Sequence, residues 1–270
     1  MIDQGRRSSK GNQFKFKRDN IWYKTDYLGY EGLTEFVVSK LISFSDLKES
    51  EYTDYELEQI DYNDTVFNGC MSVDFTNGKS LITLERLFKN MYGRGLNNII
   101  YSITDHKERL HKMVEQVERV TGIKGFGIYM SKVLTIDALF LNEDRHTHNI
   151  ALMSYDKGKY SLSPIFDNGA GLLSDTRIEY PLGKDVITLM EKVKPKTFCD
   201  SFDEQLDIAE ELYGQHIKFY FEYKDVKQIL DSAVIYDDET KKRVCEIIMQ
   251  MRRKYAYLFC EKESQNTGKR

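Results

Sequence analysis

The chain has 270 residues and a mass of 31.7 kDa, enough to bury a substantial core in one large domain or in two lobes that share a cleft. Its formal net charge is −4, so composition argues against generic binding of nucleic acid through a basic surface. No apolar run approaches the roughly 20 residues of a membrane span, and no secretory signal is recognisable. We therefore expect a cytoplasmic protein without a membrane partner, and export by a route that needs no signal peptide stays open.

The four cysteines are far apart in the chain and show neither a CxxC spacing nor a combined cysteine and histidine spacing typical of metal sites. Free thiols in a reducing compartment are therefore expected, rather than a disulfide framework or a zinc site. The cysteines are Cys70, Cys199, Cys245 and Cys260.

The first third of the chain is predicted to be mostly β-structure, because short β-rich segments alternate with turn residues. One helix interrupts it, where apolar residues recur at helical spacing from about Glu31 onward. In chain order, the predicted elements are strands at 13–17 and 21–24, a helix at about 31–44, an acidic, tyrosine-rich surface loop or short helix at 45–64, and strands at 66–75 and 80–84.

The rest of the chain is predicted to be mainly helical, with short strands near its middle. An α+β fold with two lobes follows: a small β-rich N-lobe at 1–84, a larger helical C-lobe at 85–262 and a polar tail at 263–270. The predicted elements of this part are helices at 105–120 and 126–141, strands at 150–154, 159–163 and 165–166, and helices at 185–193, 200–213, 224–233 and about 238–260.

Two polar loops contain the residues that point to a reaction. The first, at 142–149, reads Asn-Glu-Asp-Arg-His-Thr-His-Asn, and the second, at 166–169, reads Phe-Asp-Asn-Gly. Phosphoryl transfer needs one carboxylate to orient the attacking hydroxyl, and an amide and a second carboxylate to hold magnesium on the phosphates. Asp144 is the candidate catalytic residue, and Asn149 and Asp167 are the candidate metal ligands.

The histidines of the first loop are open to two interpretations. His146, beside Asp144, either contacts the transferred phosphate or orders the loop through hydrogen bonds. His148 is expected to be a surface residue of the loop. Each loop alone could also be an ordinary hydrogen-bonded turn, and it is their combination that favours a function.

A lysine and a glutamate are expected to position the phosphates of a nucleotide. Lys24 ends a β-rich segment, and Glu35 follows in the predicted helix, so the two can form an ion pair. Lys15 and Lys17 are the competing lysines. The segment at 5–12 is either a flexible loop that closes over phosphates or an N-terminal tail, and it contains no Walker A motif.

The loop sequences resemble those of the HipA-like serine/threonine kinases, and among these the compact CtkA-type kinases. The resemblance covers most of residues 5–175, with two specific motifs and several weaker matches. The specific matches are at 141–149 and 163–169, and the weaker ones are a Gly-rich segment at 11–15, the lysine segment at 22–24, the helix start at 34–35 and a hinge at 70–75.

This resemblance implies a bilobal protein-kinase-like fold that binds ATP and Mg²⁺ between its lobes and phosphorylates a protein hydroxyl. It implies that Lys24 contacts the α- and β-phosphates and that the backbone from Ser72 to Asp74 contacts adenine. In such kinases a serine of the Gly-rich loop can be autophosphorylated, and Ser8 and Ser9 are the matching positions. Because only about four residues precede the segment at 5–12, we expect the N-terminal subdomain of the full-length toxins to be missing, and this expectation argues against the usual pairing with a DNA-binding antitoxin.

Two other functions remain as alternatives. The Asp-Arg-His-x-x-Asn pattern also occurs in phosphoinositide kinases, so the acceptor could be a lipid or a small molecule. The chain could also be a nucleotide-binding module that has lost catalysis, for example as a subunit of a toxin–antitoxin pair. An antitoxin-like partner is kept as an alternative.

Overall fold

The computed structural model describes residues 13–155 and 158–260. Within them, the N-terminal part is a four-stranded antiparallel sheet with one helix, and the remainder is mainly helical. The expected phosphate loop at 5–12, with Ser8 and Ser9, lies outside the described residues, so its role stays a prediction. No helix in the described ranges is long and apolar enough to cross a membrane.

The N-terminal sheet has the strand order β1-β2-β4-β3. Its first hairpin turns at Asp19, which has the left-handed conformation that such a turn requires. The register places Lys15 of β1 opposite Lys24 of β2, so both side chains lie on one face of the sheet. The strands are β1 (Lys15–Arg18), β2 (Ile21–Thr25), β3 (Glu56–Tyr62) and β4 (Thr65–Val73), and helix α1 (Glu31–Ile42) follows β2.

Strand β3 corrects the prediction of a surface loop or short helix at 45–64. That segment contains a short 3-10 turn at Glu49–Glu51, followed by β3, which pairs antiparallel with β4 along its whole length. Asn63 and Asp64 both have positive φ values and close this hairpin. Because β3 is an edge strand, it can carry exposed acidic residues, and these obscured its β pattern in the sequence.

The second sheet is three-stranded, with the order β5-β6-β7. Its strands are β5 (Ser80–Thr83), β6 (Ala151–Tyr155) and β7 (Lys159–Leu162), so β5 pairs with β6 and not with the N-terminal sheet. The strand predicted at 165–166 is wrong: Ile165 makes only an isolated bridge to Tyr52. The loops on either side of this sheet are the two polar loops of the sequence.

The helices pack around α5, which is buried on nearly all of its surface. The predicted last helix is six residues too long, because it ends at Lys254 and a 3-10 turn at Ala256–Leu258 follows. The helices are α2 (Leu84–Tyr92), α3 (Leu96–Ile100), α4 (His106–Thr121), α5 (Phe126–Phe140), α6 (Val186–Met190), α7 (Phe202–Tyr213), α8 (Tyr223–Ser232) and α9 (Asp238–Lys254).

Helix α1 is attached to the helical part by polar contacts as well as by a shared apolar core. Asp26, just before α1, accepts hydrogen bonds from the Gly32 amide at 2.6 Å and from the Tyr236 hydroxyl at 2.8 Å. Tyr236 lies between α8 and α9, so this carboxyl joins the two parts of the molecule. The Asn68 amide donates to the Ile235 carbonyl at 2.9 Å and adds a second link.

We expect Asp26 to make stability depend on pH. Burial raises the pKa of this carboxyl to about 8, although the hydrogen bond from Gly32 opposes the rise. An unfolded aspartate titrates near pH ~4. The folded protein therefore binds the extra proton between about pH 4 and pH 8, and stability falls as pH rises through that window.

Asp26→Asn keeps an acceptor for Gly32 but removes this titration. The unfolding free energy of the wild type should fall relative to that of the variant by up to about 1.4 kcal/mol per pH unit between pH 5 and pH 8. Urea denaturation at several pH values measures the difference. Parallel pH profiles for the two proteins would show that Asp26 is already ionised in the fold.

Candidate active site

The first polar loop begins where α5 ends. Leu141 takes the left-handed conformation that terminates the helix, and its amide donates to the Asp137 carbonyl. The loop then folds back, so that the Asn149 side-chain amide donates to the Asp144 carbonyl at 2.7 Å and to its carboxylate at 3.2 Å. Both donor contacts of Asn149 therefore face Asp144, and its amide oxygen is the atom left for a cation.

Arg145 holds the two polar loops together. Its side chain is only 2% exposed and donates to both carboxylate oxygens of Asp137 in α5, at 3.0 to 3.2 Å. It also donates to the Phe166 carbonyl at 2.6 Å and to the Asn168 side chain at 2.7 Å. One buried guanidinium thus contacts α5 and the second loop, which fixes Asp144 relative to Asp167.

Sequence reasoning missed the pair of Asp137 and Arg145. A signal was present, because Asp137 is the only charged residue in the apolar stretch from 133 to 141. A buried carboxylate in such a helix requires a cationic partner. The position of that partner depends on how the loop folds back, which the sequence pattern alone does not reveal.

Lys24 lies at the centre of the charged residues contributed by the N-terminal sheet. Its ammonium group donates to Glu35, to the Asp167 carboxylate at 2.9 Å and to the Tyr55 hydroxyl at 3.3 Å. Glu35 also accepts from the Asn168 amide at 2.9 Å, so it bridges Lys24 and the second loop. The structure therefore brings Lys24, Glu35 and Asp167 together, as the sequence predicted for the first two.

The two competing lysines, Lys15 and Lys17, have different carboxylate partners. Lys15 also reaches the Asp167 carboxylate, at 3.2 Å, and is a second cation of the same cluster. Lys17 instead pairs with Asp74 at 2.5 Å, away from Asp167.

These contacts favour the charged forms of both Lys24 and Asp167. Burial by itself would lower the pKa of Lys24, but the carboxylates of Asp167 and Glu35 outweigh it and hold that pKa well above its usual range. Burial would likewise raise the pKa of Asp167, but Lys15 and Lys24 hold it well below its usual range. Asp167 is therefore ionised, as a metal ligand must be.

His146 lies next to Asp144, with 3.6 Å between its Nε2 and the carboxylate. Its Nδ1 accepts the His148 amide at 3.2 Å, which leaves the proton of a neutral ring on Nε2, facing Asp144. Burial lowers the pKa of His146, although Asp144 opposes this, so the ring is neutral near pH 7. Of the two interpretations, these contacts favour the one in which His146 orders the loop. His148 is exposed, as predicted.

The predicted hinge lies at the end of β4, but two of its polar groups are already in use. The Asp74 amide donates to the Asn20 carbonyl at 2.8 Å, and its carboxylate accepts from Lys17 and from the Thr76 amide. Backbone groups of successive residues in a strand point to opposite neighbours. Since the Asp74 amide points toward β2, the N–H and C=O of Val73 point to the other side, where β3 would lie. The pairing of β3 with β4 ends at Met71, so β3 does not cover Val73. The backbone of Val73, rather than that of Ser72 or Asp74, faces the open edge.

Residues from both parts of the molecule line one cleft. It contains the candidate catalytic residue, both candidate metal ligands and the carboxylate that pairs with Lys24. The lining residues that bear on the chemistry are Gln13, Lys15, Glu31, Glu35, Asp144, Asn149, Asp167 and Gly169. A magnesium ion would meet two hard oxygen ligands there, with compensating lysines beside them.

A second cluster of donor atoms lies between α4 and α7. His106 Nδ1 and the Glu204 carboxylate are 2.5 Å apart, and the Cys199 sulfur is within 4.8 Å of their ligand atoms. Burial raises the pKa of the Cys199 thiol to about 11, and the thiol donates to the Ser201 carbonyl at 3.3 Å. The contact between His106 and Glu204 joins α4 to α7.

Comparison with known proteins finds similar folds among solved structures. No family model and no curated protein sequence matches the chain. The crystal structure of the Helicobacter pylori proinflammatory kinase CtkA is similar, with a TM-score of 0.63 and 15% identity over 94% of this chain and 93% of that one. A chain of the Shewanella oneidensis MR-1 HipA, HipB and operator DNA complex has a TM-score of 0.51 and 11% identity, over 94% of this chain and 67% of that one.

These likenesses show that the chain has a HipA-like kinase fold, with an N-terminal β-sheet and a helical C-terminal part. The HipA-like kinase fold and the α+β class expected from the sequence are confirmed. At 11–15% identity the likeness shows the fold alone.

We expect the site to depend on the buried ion pair. Asp137→Asn leaves the Arg145 charge buried without a counter-charge, so the unfolding free energy should fall by about 3–5 kcal/mol. Guanidinium denaturation measures this loss.

The matched control is Asp231→Asn, which removes one carboxylate from an exposed ion pair with Lys227 in α8. It should leave the unfolding free energy unchanged within error. An equal effect of both substitutions would mean that Arg145 does not need Asp137.

Proposed function

We propose that this chain is an ATP- and Mg²⁺-dependent serine/threonine protein kinase of HipA-like type, which transfers the γ-phosphate of ATP to a protein hydroxyl. One observation carries the proposal: in a kinase fold, Lys24, Glu35 and Asp167 form one ion cluster in the cleft that Asp144 and Asn149 also line. A carboxylate, metal ligands and a phosphate-binding cation are the parts that phosphoryl transfer requires.

Asp144 would orient the acceptor. Its carboxylate would accept the proton of the attacking hydroxyl as the new oxygen–phosphorus bond forms and the bond to the β-phosphate oxygen breaks, which releases ADP. The neutral His146 ring and the Asn149 amide support it from either side. The hydrogen bond from Asn149 and the nearby His146 ring hold the carboxylate in place before the substrate arrives.

Lys24 would bind the α- and β-phosphates, and Glu35 would keep it extended toward them. Lys15, which contacts the same carboxylate oxygen of Asp167, would supply a second positive charge near the phosphates. Asn149 and Asp167 would hold Mg²⁺, whose chemistry is to neutralise charge on the phosphate oxygens.

The two lobes are part of the same proposal, with an N-lobe at about 1–84 and a C-lobe at 85–262. Because β5 pairs with β6 in the helical part, we propose that the boundary lies in the connection at 74–79. Adenine would then contact the backbone of Val73 at the open edge of β4. Phe75 and Phe166, whose rings are 5.5 Å apart, join this hinge to the second polar loop.

Two substitutions distinguish the proposed roles. Asp144→Asn should reduce ³²P transfer from ATP by about 10²–10⁴-fold and leave Mg·ATP binding intact, because only the general base is lost. Asp167→Asn should abolish both transfer and metal-dependent nucleotide binding. Asp200→Asn, at an exposed carboxylate paired with Lys194, is the matched control and should change neither. Equal transfer by the wild type and Asp144→Asn would overturn the proposal.

The structure ranks the three lysines of the N-terminal sheet by their expected contribution to Mg·ATP binding, which the sequence alone could not do. Lys24→Met should weaken Mg·ATP binding by roughly 10–100-fold, because a charge-assisted contact to phosphate contributes about 1.5–3 kcal/mol. Lys15→Met should weaken it less, and Lys17→Met should have no effect, since Lys17 pairs with Asp74. Isothermal titration calorimetry measures the series, and an effect of Lys17 equal to that of Lys24 would contradict the assignment.

A further inference from the structure

The loop before α1 lies directly against the segment that follows the second polar loop, residues 169–181. The Tyr30 amide donates to the Ser174 carbonyl at 3.2 Å, and the Arg177 amide donates to the Leu28 carbonyl at 3.0 Å. The Tyr30 hydroxyl donates to the Leu172 carbonyl at 2.6 Å. A Cβ on Gly29 would lie 2.0 Å from the Ser174 carbonyl oxygen, so only glycine permits this approach.

Segment 169–181 is strained where Tyr30 holds it. Leu172 and Leu173 are buried and both have left-handed backbone conformations, with φ of 51° and 58°. Such conformations persist in non-glycine residues only where the surroundings enforce them. The Leu172 amide donates to the Phe140 carbonyl at 2.7 Å, and the Ser174 hydroxyl donates to the Gly169 carbonyl at 2.7 Å.

The far end of the segment is fixed by the helical part. Arg243 of α9 donates to the Tyr180 carbonyl at 2.9 Å and to the Pro181 carbonyl at 3.0 Å. The Tyr180 hydroxyl donates to the Glu143 carboxylate at 2.7 Å, next to Asp144. The segment therefore connects the first polar loop, the second polar loop and the loop before α1.

The arginine beside Asp144 is already paired with a carboxylate of the protein itself. Arg145 binds Asp137, and its remaining donors contact the Asn149 and Phe166 carbonyls and the Asn168 side chain. A phosphate placed on the segment would have to displace Asp137 to reach this buried guanidinium. The Ser174 and Tyr180 hydroxyls are themselves buried and donate within the protein, and Thr176 is half-buried.

We propose that Tyr30 is a positioning residue: by tying α1 to segment 169–181, it holds Glu35 and Lys24 in place without any phosphorylation of that segment. This inference rests on the proposed kinase function. Contacts within the protein, to the Phe140 carbonyl and from Arg243, hold the segment, and Tyr30 transmits its fixed position to α1.

The test compares two buried tyrosines. Tyr30→Phe removes the hydroxyl that holds Leu172, and Tyr255→Phe removes a buried hydroxyl that donates to Asp203 at 2.7 Å, between α9 and α7. Tyr30→Phe should lower kcat/KM for ATP by about tenfold, as expected for one lost hydrogen bond to a positioned element, and leave KM for the protein acceptor unchanged. Tyr255→Phe should leave kcat/KM for ATP at the wild-type value.

Hydrogen exchange tests the same contact without catalysis. Amides of α1 should exchange about tenfold faster in Tyr30→Phe than in the wild type, and at the wild-type rate in Tyr255→Phe. Equal exchange and equal kcat/KM in the two variants would overturn the positioning role.

Phosphatase-treated wild type, confirmed as unmodified by intact mass, and Thr176→Val should both transfer phosphate at the untreated wild-type rate. Loss of transfer in either protein would show that the site needs a phosphorylated residue, and would overturn the claim that segment 169–181 works unmodified. If the untreated wild type transfers no phosphate, the proposed function fails, while the exchange rates of α1 still decide whether Tyr30 positions the helix.

Discussion

The buried ion pair between Asp137 and Arg145 is the contact on which the rest of the cleft depends. Removing two charges from water costs several kcal/mol per ion, so such a pair is tolerated only where its hydrogen bonds are satisfied. Here the guanidinium meets both oxygens of Asp137, a carbonyl and a side-chain amide oxygen. The two polar loops cannot separate without leaving donor groups of this buried guanidinium unpaired, because it donates to the Phe166 carbonyl and the Asn168 side chain of the second loop, and this fixes Asp144 relative to Asp167.

The cluster around Lys24 adds the N-terminal sheet to this arrangement. Its cations come from β1 and β2, and its carboxylates come from α1 and the second polar loop. Glu35 contacts both sides, since it pairs with Lys24 and accepts the Asn168 amide. The cleft is therefore assembled by complementary charge from two parts of the chain, and each charge is offset by a partner in place.

The sequence was most informative where chemistry and local pattern coincide. Asp144, Asn149 and Asp167 were predicted from loop motifs, and Lys24 and Glu35 from their spacing across a strand and a helix, and the structure brings these side chains close together. The pairing of Asp137 with Arg145 and the contacts of Asp26 and Tyr30 join residues that are distant in the chain or in different elements, and no local pattern encodes them. Strand β3 was missed because its exposed edge carries acidic residues. The sequence could not single out Val73 within the predicted hinge at 72–74, because the register with β2 decides which backbone groups face the open edge.

The central claim is that this cleft transfers phosphate from ATP to a protein hydroxyl. The most direct test is a mass-spectrometric map of phosphosites after the wild-type chain is incubated with Mg·ATP and a mixture of protein acceptors and phosphoinositides. We expect phosphoserine or phosphothreonine on protein, and ADP in equal amount. Nucleotide binding without any phosphorylated product, or phosphate found only on the lipid, would contradict the account.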